Sequence, residues 1–329
     1  MNLYKSLIFI LYLGIFLGSG FRTPAQSRDS ITLYGTLDTV QVIRQRIQHA
    51  NEANAGARVT HISPAILQAN KTRSLAELLT DHTSIYIKSL GTGALSTASF
   101  RGTSASQTRV NWNGINITPP LSGTFDFSQI PVFFTDNINL YYGSSHVKNG
   151  TGAIGGSVNL FTDTDWNRGV NGRVLAEYGS YNTYTVGGQA NISGNKSASK
   201  TRLYYQHSDN DYTYLNKVLT NIPFREKRQD AAYSQFGIMQ EGYFRVSPYT
   251  RLTAVAWYQK NHRNLPQPLG VVNRSQEDQE ENNFRGYAGL DFSRGIHELH
   301  VKAAWLYFCQ TYDIRYDGGL FDPKGNKNR

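Results

Sequence analysis

A chain of 329 residues and 36.9 kDa carries 33 Lys+Arg against 24 Asp+Glu, a formal charge of +9, with 17% charged residues, 21 Tyr, 30 Gly and one Cys. So aromatic and charge-poor a composition excludes a disordered tail, and the single Cys excludes both an internal disulfide framework and a Cys-rich zinc module. A mean hydropathy of −0.45 excludes a polytopic helical membrane protein, which needs repeated apolar runs of about 20 residues; the length predicts about two domains, and the Tyr and Gly content predicts a β-rich fold.

Residues 1–25 read as a secretory signal peptide. Lys5 supplies the positive start, 7–17 (LIFILYLGIFL) the apolar core, and Thr23, Pro24 and Ala25 the small residues before a cut. The apolar run is too short to span a bilayer about 30 Å thick, which argues against a membrane anchor. Cleavage removes Lys5 and Arg22, and the lone Cys309 suits an oxidising compartment. Residues 26–56 follow as a polar N-terminal segment.

Residues 57–165 mix helix and strand signals. Ser63-Pro64 predicts a helix start, with Ser capping and Pro at the first helical position. Ser74 and Glu77 form a capping box, after which Leu75, Leu78 and Leu79 mark one buried face. Strands are predicted at 58–62, 85–90, 98–101, 110–112, 138–142 and 158–162, each bounded by turn residues. The expectation is a compact α+β globule.

From about residue 170 the period changes to two. Tyr184, Val186, Gly188, Ala190 and Ile192 alternate with Thr185, Gly187, Gln189 and Asn191. Phe284, Ala288, Leu290 and Phe292 oppose Arg285, Tyr287 and Asp291, while Leu299, Val301, Ala303, Trp305 and Tyr307 oppose Glu298, His300 and Lys302. A soluble sandwich and a transmembrane barrel both alternate in this way. Export, and aromatics at strand ends (Tyr178, Tyr181, Tyr184, Tyr204, Tyr205, Trp257, Tyr258), favour a barrel with interfacial girdles. Connections at 194–199, 247–248 and 293–295 are short, whereas those at 211–230 and 263–282 are long and polar, the alternation expected of periplasmic turns and outer loops. The connection at 180–183 is short and departs from that pattern.

In the first region the chain resembles the plug domain of TonB-dependent outer-membrane receptors. The resemblance rests on 98–106 (ASFRGTSAS) with Arg101 and Gly102, on Asn113-Gly114-Ile115, on 126–131 (DFSQIP), on 138–143 (INLYYG), and on 152–160 (GAIGGSVNL) with Gly155 and Gly156. Within the family these motifs look most like the cobalamin-transporter branch. The chain departs from the family pattern at Gly143-Ser144 and around Lys148–Gly150, which affects a local turn. The resemblance implies an α+β plug, residues 57–165, followed by antiparallel transmembrane β-barrel strands, residues 166–329. It also implies energised uptake of a scarce nutrient, cobalamin or an iron-siderophore chelate, driven by the inner-membrane partner TonB. Asp38, Thr39, Val40, Gln41 and Val42 resemble the TonB box; a β-prone stretch beside a polar segment can add as a strand to a partner's sheet edge, and an ordinary first strand is the alternative. By the same resemblance Leu90, Gly91, Thr92 and Gly93, together with Thr118, Pro119, Pro120, Leu121 and Ser122, are candidate ligand contacts, with plain turns as the alternative. Outer-membrane lipid and a surface or periplasmic binding protein complete the expected partners.

Other constellations are weak. His297 and His300 point to opposite faces of a strand, Asp209-Asn210-Asp211 lacks the offsets of a calcium loop, and the acidic run 277–281 reads as a solvated outer loop. No metal, cofactor or catalytic triad is expected, and Arg225, Lys227 and Arg228 read as loop charge, not as a nucleic-acid patch. The competing function classes are a surface adhesin or ligand-binding outer-membrane β-protein without active transport, and a barrel enzyme. About seven barrel strands are predicted, too few to close around a plug when a plugged barrel has about 22 strands; the expectation is a complete plug and an incomplete barrel in a partial or truncated chain.

Overall fold

The computed structural model describes residues 58–143, 153–218, 223–269 and 275–316. The signal peptide, the 26–56 segment with Asp38–Val42, the turn at Lys148–Gly150 and the last residues lie outside them.

The first part is built from β1 (Arg58–His61), α1 (Pro64–Ala69), α2 (Leu75–His82), β2 (Tyr86–Ser89), β3 (Ser96–Ser99), β4 (Thr108–Trp112), β5 (Ile115–Asn116), β6 (Asn137–Tyr142) and β7 (Gly156–Phe161). Five strands form one sheet in the order β1-β6-β7-β4-β5, with β4 and β7 parallel and the other pairs antiparallel; β2 and β3 form a separate ribbon. Local chemistry sets the helix ends. The Ser63 hydroxyl accepts from the Ile66 amide, and at α2 Ser74 and Glu77 make the reciprocal capping box, Ser74 N donating to Glu77 Oε2 at 2.8 Å. Leu75, Leu78 and Leu79 of α2 are fully buried, in a core with Phe100, Val110, Ile117, Ile138, Leu140 and Val158.

The second part is a seven-stranded meander: β8 (Gly169–Gly179), β9 (Thr183–Ser193), β10 (Ser197–Ser208), then, past a small hairpin of β11 (Thr213–Asn216) and β12 (Phe224–Lys227), β13 (Tyr233–Ser247), β14 (Thr250–Asn264), β15 (Ser275–Arg294) and β16 (His297–Tyr316). Each strand pairs antiparallel with its sequence neighbour in the sheet, and β8 and β16 are open edges among the described residues. The alternation resolves into two faces of unusual polarity. On β13, Tyr233, Gln235, Gly237, Met239, Glu241 and Tyr243 are covered by the globule, whereas Phe236, Ile238 and Phe244 stay exposed. Across the sheet the uncovered face is apolar: Val174 is 82% exposed and Trp305 71%. A water-soluble sheet hides its apolar face; this wall hides its polar one, as a barrel strand does in lipid.

The structure departs from the sequence reading in four places. The strand expected over 98–101 ends at Ser99, because Arg101 and Gly102 take positive φ values of 49° and 78° and turn the chain. The acidic run 277–281 is no loop: it lies in β15, which begins at Ser275, so the connection after β14 is ten residues long and not the twenty expected. The 211–230 connection contains the β11–β12 hairpin. Tyr204 and Trp257, read as girdle aromatics, are each 1% exposed and face the globule, since strand parity turns them inward while Tyr205 and Tyr258 beside them point out.

Candidate functional site: the seam between globule and wall

The covered face of the wall meets the globule along a seam that descends from the long-loop end to the short-turn end. At the top, Thr92 O accepts from Asn210 Nδ2 at 3.1 Å, and Gly93 lies directly beneath the Tyr233 ring. Gly93 has φ +70°, and a Cβ there would overlap that ring, so only glycine lets the loop sit so close to the wall. Next, the Arg263 guanidinium meets Asp126 at 2.7 Å, while the Asp126 carboxylate also caps the following 3₁₀ turn and accepts from Ser96 N. The segment after it is held by wall amides. Gln235 Nε2 donates to Ser128 O at 2.9 Å, Gln259 Nε2 donates to Gln129 O, Asn261 Nδ2 donates to Gln129 Oε1 at 3.2 Å, and Gln129 Nε2 donates to Glu281 Oε1 at 2.7 Å. Gln206, Gln235, Asn261 and Glu281 are direct cross-strand partners on β10, β13, β14 and β15, so one row of polar side chains crosses the wall.

Midway the seam is aromatic. Trp112 packs on Trp257 at 5.4 Å and on Tyr287 at 5.3 Å, and Phe134 packs on Trp257 at 5.3 Å. A Cβ on Gly237 would come within 2.6 Å of the Phe134 ring, so the wall must be bare there. Below it sits a buried ionic cluster. Asp136 of the globule meets Arg202 and, at 3.0 Å, Lys200; both cations stand 3.8–3.9 Å from Glu241, which is fully buried. Burial opposes ionisation of Asp136, yet Arg202 and Lys200 outweigh it and hold the carboxyl well below its ordinary value. Lys71 lies beside this cluster and donates to Thr135 O at 2.5 Å; burial pushes its ammonium down to about 8 against the pull of Asp136. At the foot, Lys302 Nζ donates to Asn113 O at 2.6 Å.

The residues singled out from the sequence fall into two groups. Asn113 and Gly114 form the positive-φ turn between β4 and β5, with the Asn113 amide bridging to Thr162; Gly156 is buried where a Cβ would strike Tyr141 O and Phe100, and Gly155 packs against Thr103. Those positions are architectural. Leu90, Gly91 and Thr92 are exposed at the long-loop end, Leu90 being 69% exposed, and Gly93 is half-buried beneath Tyr233. Pro120, Leu121 and Ser122 are exposed, Pro119 half-buried, and Thr118 buried, its hydroxyl accepting from Val110 N at 3.4 Å. What sequence reading missed is the seam itself: Asp136, Lys200, Arg202 and Glu241 carry no motif. Lys200, Arg202 and Glu241 are marked only by falling at the inward parity positions of β10 and β13, and Asp136, just before β6, carries no periodic mark.

The family profile "TonB-dependent Receptor Plug Domain" matches residues 51–157. This stretch is a TonB-dependent receptor plug domain. The strands that follow the plug are wall strands of the same architecture: the chain superposes on the siderophore receptor PiuA from Acinetobacter baumannii (TM-score 0.58, 18% identity, 79% of this chain and 37% of that one) and on the alcaligin outer-membrane receptor FauA from Bordetella pertussis (TM-score 0.58, 15% identity, 80% and 40%). At these identities the likeness shows the fold alone. In sequence the chain is 32% identical over 135 residues to the vitamin B12 transporter BtuB of Photobacterium profundum, covering 41% of this chain and 22% of that protein. It is 32% identical over 126 residues to BtuB of Vibrio cholerae, covering 38% and 20%. The matched stretch spans about a fifth of the length of these curated relatives.

Proposed function

We propose that the chain is the plug and leading barrel strands of an outer-membrane receptor that binds a scarce nutrient, cobalamin or an iron-siderophore chelate, and releases it inward when TonB acts on the plug. The observation that carries this reading is the wall's inverted polarity: apolar side chains outward, polar and ionic side chains against a plug. A sheet so built belongs in lipid with its polar face occupied. On this reading the ligand contacts are Leu90, Gly91, Thr92 and Gly93 at the long-loop end together with Thr118, Pro119, Pro120, Leu121 and Ser122, and Asp38–Val42 is the TonB contact. The 32% identity to the BtuB transporters favours cobalamin, and the fold shared with siderophore receptors keeps a chelate as the second ligand class.

Isothermal titration of the 329-residue chain in detergent against cyanocobalamin and ferric hydroxamate and catecholate chelates tests the ligand. Binding of cyanocobalamin alone is expected; heat from the chelates only would reassign the receptor to iron. Capture on an immobilised TonB C-terminal domain tests the partner, and capture that survives deletion of Asp38–Val42 would remove the box assignment. If the mature chain stays soluble and monomeric without detergent, the outer-membrane reading fails.

A further inference from the structure

The cations of the buried ionic cluster have two carboxylates in reach and bond to one. Lys200 and Arg202 stand on β10 of the wall, whereas Asp136 belongs to the plug, one residue before β6. Asp136 Oδ2 accepts from Arg202 Nη2 and, at 3.0 Å, from Lys200 Nζ, and Lys200 also donates to Asp163 O of the plug. Glu241, on β13, lies 3.8 Å from Lys200 and 3.9 Å from Arg202, beyond hydrogen-bond range. Both its oxygens are buried with no hydrogen-bond partner among the described residues, and so are Arg202 Nε and Nη1. The plug hydroxyl beside Glu241 is engaged elsewhere: Thr162 Oγ1 accepts from Asn113 Nδ2 at 2.9 Å and meets the Tyr243 hydroxyl at 3.4 Å.

Strand register keeps Glu241 within reach of both cations. It is the direct cross-strand partner of Lys200, and Arg202, opposite Met239, is its diagonal neighbour on the same covered face. Directly opposed side chains have Cβ atoms about 5 Å apart and diagonal ones about 7–8 Å, distances that Lys and Arg span easily. These contacts are internal to the wall and persist wherever the plug is. A shift of about 1 Å brings either cation from its present separation to a charge-assisted bond with Glu241. We propose that Glu241 is a reserve acceptor for Lys200 and Arg202, unbonded while Asp136 holds them and bonded once the plug leaves, so that the plug is released by an exchange of partners within the wall. An unmet buried carboxylate is unfavourable in the seated state, and its pairing is favourable in the released one. Both effects narrow the gap between the two states. One carboxylate then serves two cations, so the exchange lowers the cost of release without removing it.

The inference rests on the receptor reading for what moves the plug, so its test uses neither ligand nor TonB. The readout is the rate of limited proteolysis across the seam in the detergent-folded 329-residue chain, which follows the population of the released plug when cleavage is slow. Glu241→Gln removes the reserve acceptor and should slow that cleavage about tenfold, the worth of one charge-assisted hydrogen bond lost from the released state. A residue that only braces the seated cluster predicts the reverse, faster cleavage. The thermal transition supplies a second arm. Glu241→Gln should not lower it in the wild-type background, where Glu241 has no bond to lose. It should lower it in an Asp136→Asn background, where Glu241 is the last carboxylate beside Lys200 and Arg202 among the described residues. Faster or unchanged cleavage, or a transition that falls as far in the wild-type background as in the Asn variant, would overturn the proposal. Should E241Q fold poorly, Glu241→Met, of similar volume, repeats both arms. Failure here leaves the titration and TonB-capture results standing, and failure of those leaves the seam measurement interpretable.

Discussion

The plug's own core and its seam with the wall are built from opposite materials. Inside the plug, Leu75, Leu78, Leu79, Phe100 and Val110 pack with no charged partner. Along the seam, amides, carboxylates and guanidinium groups alternate with a patch of large aromatics. Apolar packing is non-directional and holds a body together through many small displacements. Charge-assisted hydrogen bonds depend on geometry and on water being absent, and once water enters they lose most of their worth. A plug that stays folded yet can be moved within its wall needs the first kind of contact inside and the second kind at its boundary.

The sharpest way to break this contrast is at the ionic cluster. Asp136→Asn leaves Arg202 and Lys200 with Glu241 alone, and a stranded buried charge is destabilising by about 3–5 kcal/mol. The expected outcome is a plug released from the wall but still folded, read as faster proteolysis across the seam with the plug's own amide protection retained. The same contact titrates. Asp136 is held below its ordinary value of 3.8, so its contribution is fully present above that value and is lost as the pH falls through the lower folded value; the proteolysis rate should rise on acidification in the wild type and be flatter in the Asn variant.

Leu78→Ala attacks the other side of the comparison. Truncating a fully buried leucine is destabilising by about 2–5 kcal/mol, and here amide protection should fall throughout the plug. If L78A and D136N gave the same protection pattern, plug and seam would be one cooperative unit and the contrast would fail. Ser74→Ala removes the α2 cap and should lower stability by about 1 kcal/mol, read in the thermal transition. A further effect is alkaline. The Lys71 ammonium is pushed down by burial to about 8 from an ordinary 10.5. The unfolded chain therefore binds more protons between those values, and stability should rise as the pH is raised from about 8 to 10.5. Lys71→Met should remove that rise.

Sequence reading reached the secondary structure well wherever the signal was local. The Ser74–Glu77 capping box, the Ser63-Pro64 helix start and the Asn113-Gly114 turn all form as expected, because each depends on residues within four positions of one another. The alternation after residue 170 likewise anticipated the seven-stranded sheet found among the described residues, though not the β11–β12 hairpin. It misjudged position where two equal-looking patterns compete. Residues 277–281 are acidic and so resemble a loop, yet the β14–β15 ladder continues through them, Asp278 pairing with Asn264 and bonding Arg315. Tyr204 and Tyr205 look alike in sequence, and only the register of β10 against its neighbours sends the first inward and the second out.

The sequence alone determined that an α+β plug precedes a run of period-two strands, since caps, turns and alternation are written in adjacent residues. Which of each strand's two faces meets the plug, and that Asp136 meets Arg202 across 66 positions while Gln235 meets Ser128 across 107, was decided only by the tertiary structure. Pairwise chemistry at such separations leaves no periodic trace in the chain; it exists once the wall lies against the plug and has excluded the water that would otherwise satisfy every one of those groups.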